Sequence, residues 1–142
     1  MKKLATLLRN QLGAAIIEMA ISLPVLILMI WGIFQLGVAG QAVAGMQHGL
    51  GEGARLATLC LNPTAQGVCT VPTDASIRDR ISNRVFGVGI GTFDTPSVTT
   101  PDPAVCVNCR LLSVTFSMPM DFLFFRGPTV TITRTKQVYL AT

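Results

Sequence analysis

The chain has 142 residues, of which 50% are hydrophobic and only 13% charged, with a formal net charge of +4. An ordinary soluble domain carries about 25% charged residues, so part of this chain is built for lipid or for other subunits. Lys2, Lys3 and Arg9 supply most of the positive excess, whereas Arg55, Arg78, Arg80, Arg84, Arg110, Arg126, Arg134 and Lys136 are scattered among acids. The basicity is therefore an N-terminal address signal, and nucleic acid is not an expected partner.

After this basic leader the chain turns apolar. Between Glu18 and Glu52 there is no Asp, Glu, Lys or Arg, and Met19 to Phe34 carries only Ser22 as a small polar side chain. About 20 apolar residues cross the hydrocarbon core as a helix, so the span is expected at about 16–35. The leader charges place its N-terminal end in the cytoplasm and the rest of the chain outside. From Gln35 to Cys60 the residues become small, with many Gly and Ala. Such a segment is a weak helix former in water but lets other helices approach closely. One long helix from Gly13 to about Leu59 is expected, roughly 70 Å at 1.5 Å per residue, its outer half covered by a small head. Pro24, lacking an N–H and clashing with the carbonyl of Ala20, should kink or loosen it.

Beyond a loop from Leu61 to Pro72, Thr73 and Asp74 are capping residues. Ile77, Ile81 and Val85 recur every four residues, which predicts a short amphipathic helix from Asp74 to Phe86, closed by Gly87. Gly89 to Pro103 reads as loop or irregular edge. Arg110 to Met118 alternates Leu112, Val114, Phe116 and Met118 on one face with Leu111, Ser113, Thr115 and Ser117 on the other, and Thr129 to Leu140 alternates similarly, so an antiparallel pair joined by Pro119 to Pro128 is predicted. Within that connection Phe122, Leu123, Phe124 and Phe125 are too apolar for a free loop. They should pack on the long helix or else on a neighbouring subunit.

Cys60, Cys69, Cys106 and Cys109 all follow the span, which favours an oxidising compartment and two disulfides; of the three possible pairings, the local one (Cys60 with Cys69, Cys106 with Cys109) is preferred. An all-cysteine zinc site is the less usual alternative, and the CxxC at 106–109 precedes a strand where a thioredoxin-like redox site needs a helix start. Gly87, Gly89 and Gly91 lack the spacing of a dinucleotide loop, and His48 has no second histidine nearby in sequence. No catalytic, cofactor-binding or metal site is expected, and the chain does not read as an enzyme.

Glu18 is the remaining anomaly, because a carboxylate within a membrane helix costs about 2.5–3.5 kcal/mol at the bilayer centre on the gentlest scale. Near the interface it could snorkel to water. Cleavage after Gly13 would instead place a new α-amino group on Ala14, one helical turn away, able to pair with it or with the same acid on an adjacent helix. This combination of basic leader, Gly13, Ala14 and Glu18, followed by an apolar helix, resembles the class III signal of type IV pilins and pseudopilins. The block GAAIIEMAISLPVLILMIWGIFQLG, with Pro24 soon after the glutamate, the small-residue helix through Gly53, Ala54 and Arg55, and a compact head ending in strands, most resembles the TadE-like minor pilins of the tight-adherence (Flp) pilus system.

The resemblance implies residues 1–13 as a leader removed by prepilin peptidase, residues 14–59 as the long helix, and residues 60–142 as an extracytoplasmic head. Gly13 would precede the scissile bond, Ala14 would be the new N-terminus and Glu18 would meet a neighbour's amine during assembly. The implied partners are the prepilin peptidase, other Tad pilins and minor pilins, the inner-membrane assembly machinery with its ATPase, and the bilayer. The expected fold is α+β: a long N-terminal transmembrane helix followed by a small head with a short helix and an antiparallel β-sheet. Two other readings stay open, a soluble binding module released by signal peptidase after Ala44, and an uncut single-pass scaffold protein of a secretion system.

Overall fold

The computed structural model of the protein describes residues 11–61, 69–87, 89–102, 106–122 and 125–140. Helix α1 (Gln11–Ala57) runs for 47 residues, unbroken through Pro24. It is followed by a short helix α2 (Asp74–Ser82) and four strands, β1 (Thr92–Phe93), β2 (Ser97–Thr99), β3 (Cys109–Phe122) and β4 (Phe125–Tyr139). The fold is mixed α+β, a long apolar helix carrying a small head.

The head forms because α1 offers a stripe to it. Val38, Ala42, Met46, Leu50, Ala54 and Ala57 recur every three or four residues and are all buried, the spacing that keeps side chains on one helix face. Against that stripe lie Ile77 and Ile81 of α2 and the inward side of β3, where Leu112, Val114, Phe116 and Met118 are all at most 1% exposed. The period-two reading of β3 is thus met residue by residue. Strand β4 contributes less, with Val138 buried and Ile132 packed at the margin.

Strand β3 is the centre of the sheet. It pairs along its length with β4, and along its other edge with β1 (Thr92 opposite Ser117) and then β2 (Val98 opposite Leu112), every pairing antiparallel. Strands β1 and β2 fall in the stretch expected to be irregular. They are two and three residues long, too short to show a period, and exist because β3 presents free backbone groups along that edge.

Two boundaries differ from expectation. The predicted connection from Pro119 to Pro128 is mostly strand: β3 and β4 continue pairing until Phe122 opposes Phe125. The prolines are accommodated because Pro119 lies at a register shift between residues 119 and 121, and Pro128 is on β4, for which no outer partner strand exists among the described residues; bulges and edges are where strands tolerate proline. Phe122 and Phe125 are therefore register partners at the paired strand ends, not loop residues. Their rings stack on each other with centroids 4.6 Å apart, while Leu123 and Phe124 lie outside the described residues.

Helix α2 also ends earlier than predicted, at Ser82. Thr73 is its N-cap, its Oγ1 accepting from the Ser76 N–H at 3.3 Å, and Asn83 is its C-cap. The chain then turns, with the N–H groups of Arg84 and Val85 both donating to the Ile81 carbonyl at 3.0 Å. This turn lays Val85 and the backbone of Phe86 across Gly49 and Gly45 of α1. Gly87 is not the helix stop; it sits against the Phe93 ring, where a Cβ would come to 3.0 Å.

Candidate functional site

The residues singled out for processing and assembly lie on the first turns of α1. Gly13, Ala14 and Glu18 are exposed, and a Cβ built on Gly13 would meet no atom within 4 Å. Ala14 and Glu18 are four residues apart, about 6 Å along the axis and on the same side of the helix. No ion pair joins Glu18 to another described residue. The leader residues Lys2, Lys3 and Arg9 lie outside the described residues.

From here to Phe34 the helix carries mostly exposed apolar side chains. Ile16, Ile17, Met19, Ile21, Met29, Ile30 and Ile33 are each more than half exposed; Trp31, near the end of the stretch, reaches the head. A helix apolar on all sides is satisfied by lipid or by other subunits. By length and composition α1 can cross a membrane, which fits a single-pass membrane protein.

In its outer half the glycines of α1 divide between two faces. Gly45, Gly49 and Gly53 receive the α2 region: a Cβ on Gly45 would lie 1.8 Å from the Phe86 carbonyl oxygen, one on Gly49 2.6 Å from Val85, and one on Gly53 2.3 Å from Ile81. Gly37, Gly40 and Gly51 have nothing within 4 Å. At about 100° per residue these three project away from the buried stripe, together with Ile33 and Ala44. Small residues thus serve packing inside the chain on one face and remain unused on the other.

The junction of span and head holds a contact the sequence reading missed. Trp31 donates from Nε1 to the Asp121 carbonyl at 2.6 Å, and Gln35 donates from Nε2 to the same oxygen. Gln35 is 2% exposed, and its Oε1 has no hydrogen-bond partner among the described residues. Two donors from one helical turn therefore hold the far end of β3. The signal available in sequence was a lone Trp followed four residues later by Gln at the end of an apolar run, but its acceptor is backbone and leaves no trace in residue type.

In the head, Cys60 is joined to Cys69 and Cys106 to Cys109, leaving no free thiol. The second pair closes a turn in which Asn108 adopts φ 61°, the left-handed region Asn tolerates best after Gly. The Leu140 N–H donates to the Asn108 carbonyl at 2.9 Å, tying that turn to the end of β4. His48 lies with its Nδ1 3.4 Å from the Arg84 carbonyl and its ring against Phe86, a packing role. Among the described residues no group of three or more His, Cys, Asp or Glu side chains is placed to hold a metal. Asp74 and Arg110 form the closest ion pair of the head at 2.9 Å, linking the start of α2 to the start of β3.

Residues 13–55 match the family model described as TadE-like protein. The matched stretch lies wholly on α1 and includes Gly13, Ala14, Glu18, Pro24, Trp31, Gln35 and both sets of glycines. No curated protein and no solved structure matches the chain.

Proposed function

We propose that this protein is a TadE-like minor pilin or pseudopilin, cut by prepilin peptidase between Gly13 and Ala14, that takes part in assembling a Tad-type adhesive pilus. The observation that carries the proposal is the family match over residues 13–55, on a helix whose processing turn and apolar half are both exposed. The bond that breaks is the chain's own, so no catalytic residue is assigned to it. Before processing, the leader charges Lys2, Lys3 and Arg9 hold the N-terminal end at the cytoplasmic face of the inner membrane, with the head outside. After cleavage the Ala14 ammonium and the Glu18 carboxylate offer opposite charges one turn apart. In a bundle of such helices each can satisfy its counterpart on a neighbour, which removes the penalty of an unpaired charge in an apolar setting.

The open face of α1 at Gly37, Gly40 and Gly51 supports the same reading. Lipid tails are as apolar as the side chains of the span, so leaving the bilayer must be driven by close helix packing and by the assembly ATPase, and small residues permit that approach. Pro24 gives the span a place to bend as it moves from bilayer to filament. Release of a soluble head after Ala44 is disfavoured, since that cut would strip Val38 and Ala42 from the head's core.

The test is the intact mass and N-terminal residue of the protein from membranes of cells with and without prepilin peptidase. A chain beginning at Ala14 only when the peptidase is present is the expected result. A start at Gly45, or an uncut chain in both strains, would return the protein to the secreted-module or scaffold reading.

A further inference from the structure

We propose that the paired ends of β3 and β4, at Phe122 and Phe125, are a second membrane contact, seated in the outer interface of the same bilayer that α1 spans. The inference rests on the reading of α1 as a membrane span and goes beyond it, because it concerns the head.

Strand β3 descends along α1. At its start Arg110 is paired with Asp74 at the beginning of α2, and at its end the Asp121 carbonyl is held by Trp31 and Gln35. A span of about 20 residues beginning at Ile16 ends at Gln35, and Trp31 lies about 6 Å before that along the axis. The held carbonyl therefore sits within the last turn of the span. Phe122, one residue further along the same strand, continues the descent by about 3.3 Å.

The chemistry of these strand ends fits that depth. Phe122 and Phe125 stack on each other, and Phe125 is 59% exposed. At the same level on α1, Trp31 and Phe34 have ring centroids 5.6 Å apart, and Phe34 is 48% exposed. Helix and strand ends thus present one collar of aromatic side chains at the height where aromatic residues are enriched in membrane proteins. Arg126 is the register partner of Asp121, just above these ends, where a guanidinium reaches lipid phosphates. The occupant is lipid because this collar lies at the outer end of the exposed apolar stretch of the span, which runs from Ile16 to Ile33. The Trp31 and Gln35 hydrogen bonds then set the head's height and rotation on the membrane surface while the protein waits for assembly.

The experiment places the photoreactive residue p-benzoylphenylalanine, one site at a time, at Phe125, at Ile30 and at Tyr139 of the full chain in native membranes, followed by irradiation and mass analysis. Ile30 reports on the span, and Tyr139, exposed at the opposite end of β4, reports on the head away from the membrane. The expected result is a phospholipid adduct at Phe125 and Ile30 and none at Tyr139. An adduct at Ile30 with none at Phe125 overturns the proposal and leaves the span intact, and a cross-link from Phe125 to a second copy of the chain overturns it in favour of a subunit contact. Absence of a lipid adduct at Ile30 itself would remove the span reading and the proposal together.

Discussion

From Gly13 to Phe34 helix α1 leaves most of its apolar side chains exposed, whereas from Gln35 to Ala57 it buries Val38, Ala42, Met46, Leu50, Ala54 and Ala57 on one side and leaves Gly37, Gly40 and Gly51 open on the other. The two halves are one continuous helix, and what separates them is the solvent each is built for. In the inner half the apolar residues follow no single face, a pattern suited to lipid on all sides; in the outer half a period near 3.6 returns because one side meets a head and the other does not. Substitutions that respect this division should be silent in one half and costly in the other.

The largest effect is expected where the head's chain crosses α1. Gly45→Val places carbon into the backbone of Phe86, which has no rotamer to yield, so we expect the head to lose about 3 kcal/mol or more. Denaturant unfolding of detergent-solubilised protein, followed by a probe confined to the head, checks this. If the head is as stable as the unsubstituted one, α2 and the turn after it do not rest on α1 as described.

Next comes the core itself: Met46→Ala, at a site fully buried between helix and sheet, should cost about 2–5 kcal/mol in the same assay. The matching change in the inner half, Met29→Ala, removes a side chain that is 63% exposed and should leave head unfolding unaltered. A head equally weakened by both substitutions would mean that the two halves of α1 are not energetically separate.

A smaller effect follows from the staple just beyond α1. Replacing Cys60 and Cys69 together by Ser opens a loop whose ends are nine residues apart in sequence; the chain-entropy account gives about 2–3 kcal/mol for a loop of that size. Thiol titration of the unfolded protein with and without reductant establishes the bond, and the unfolding midpoint measures its worth.

Much of this division was legible in residue order. The span needed only its freedom from charge between Glu18 and Glu52, and β3 needed only the alternation of Leu112, Val114, Phe116 and Met118. What stayed hidden depended on neighbours distant in sequence. Strands β1 and β2 are strands only because β3 has a free edge for them. Pro119 and Pro128 look like the limits of a loop until their strand positions are known, a register shift and an outer edge. Composition alone showed that the helix glycines would let something approach closely; only the positions of Ile81, Val85 and Phe86 decide that Gly45, Gly49 and Gly53 are occupied from within the chain. The residues proposed for processing have the opposite character: Gly13, Ala14 and Glu18 are defined by spacing along one helix and need no tertiary contact to be recognised.

The smallest expected effect on stability is also the sharpest test of the comparison. Gly40→Ala adds a methyl group into open space and removes a glycine from a helix interior, so the isolated protein should be unchanged or gain about 0.5–1 kcal/mol. Gly40→Leu should also leave the head intact, since the added side chain points away from Met46 and Leu50. If that open face packs against other pilins, however, bulk there holds the helices apart by the width of a side chain, and close packing is the force available to draw an apolar helix out of lipid. Head unfolding and pilus formation should therefore separate: Gly40→Leu folds and is processed but lowers the yield of pili, while Gly40→Ala does so less or not at all. Normal piliation with the leucine variant would mean that the open face is not where assembly partners pack, leaving the exposed apolar half of α1 to carry assembly alone.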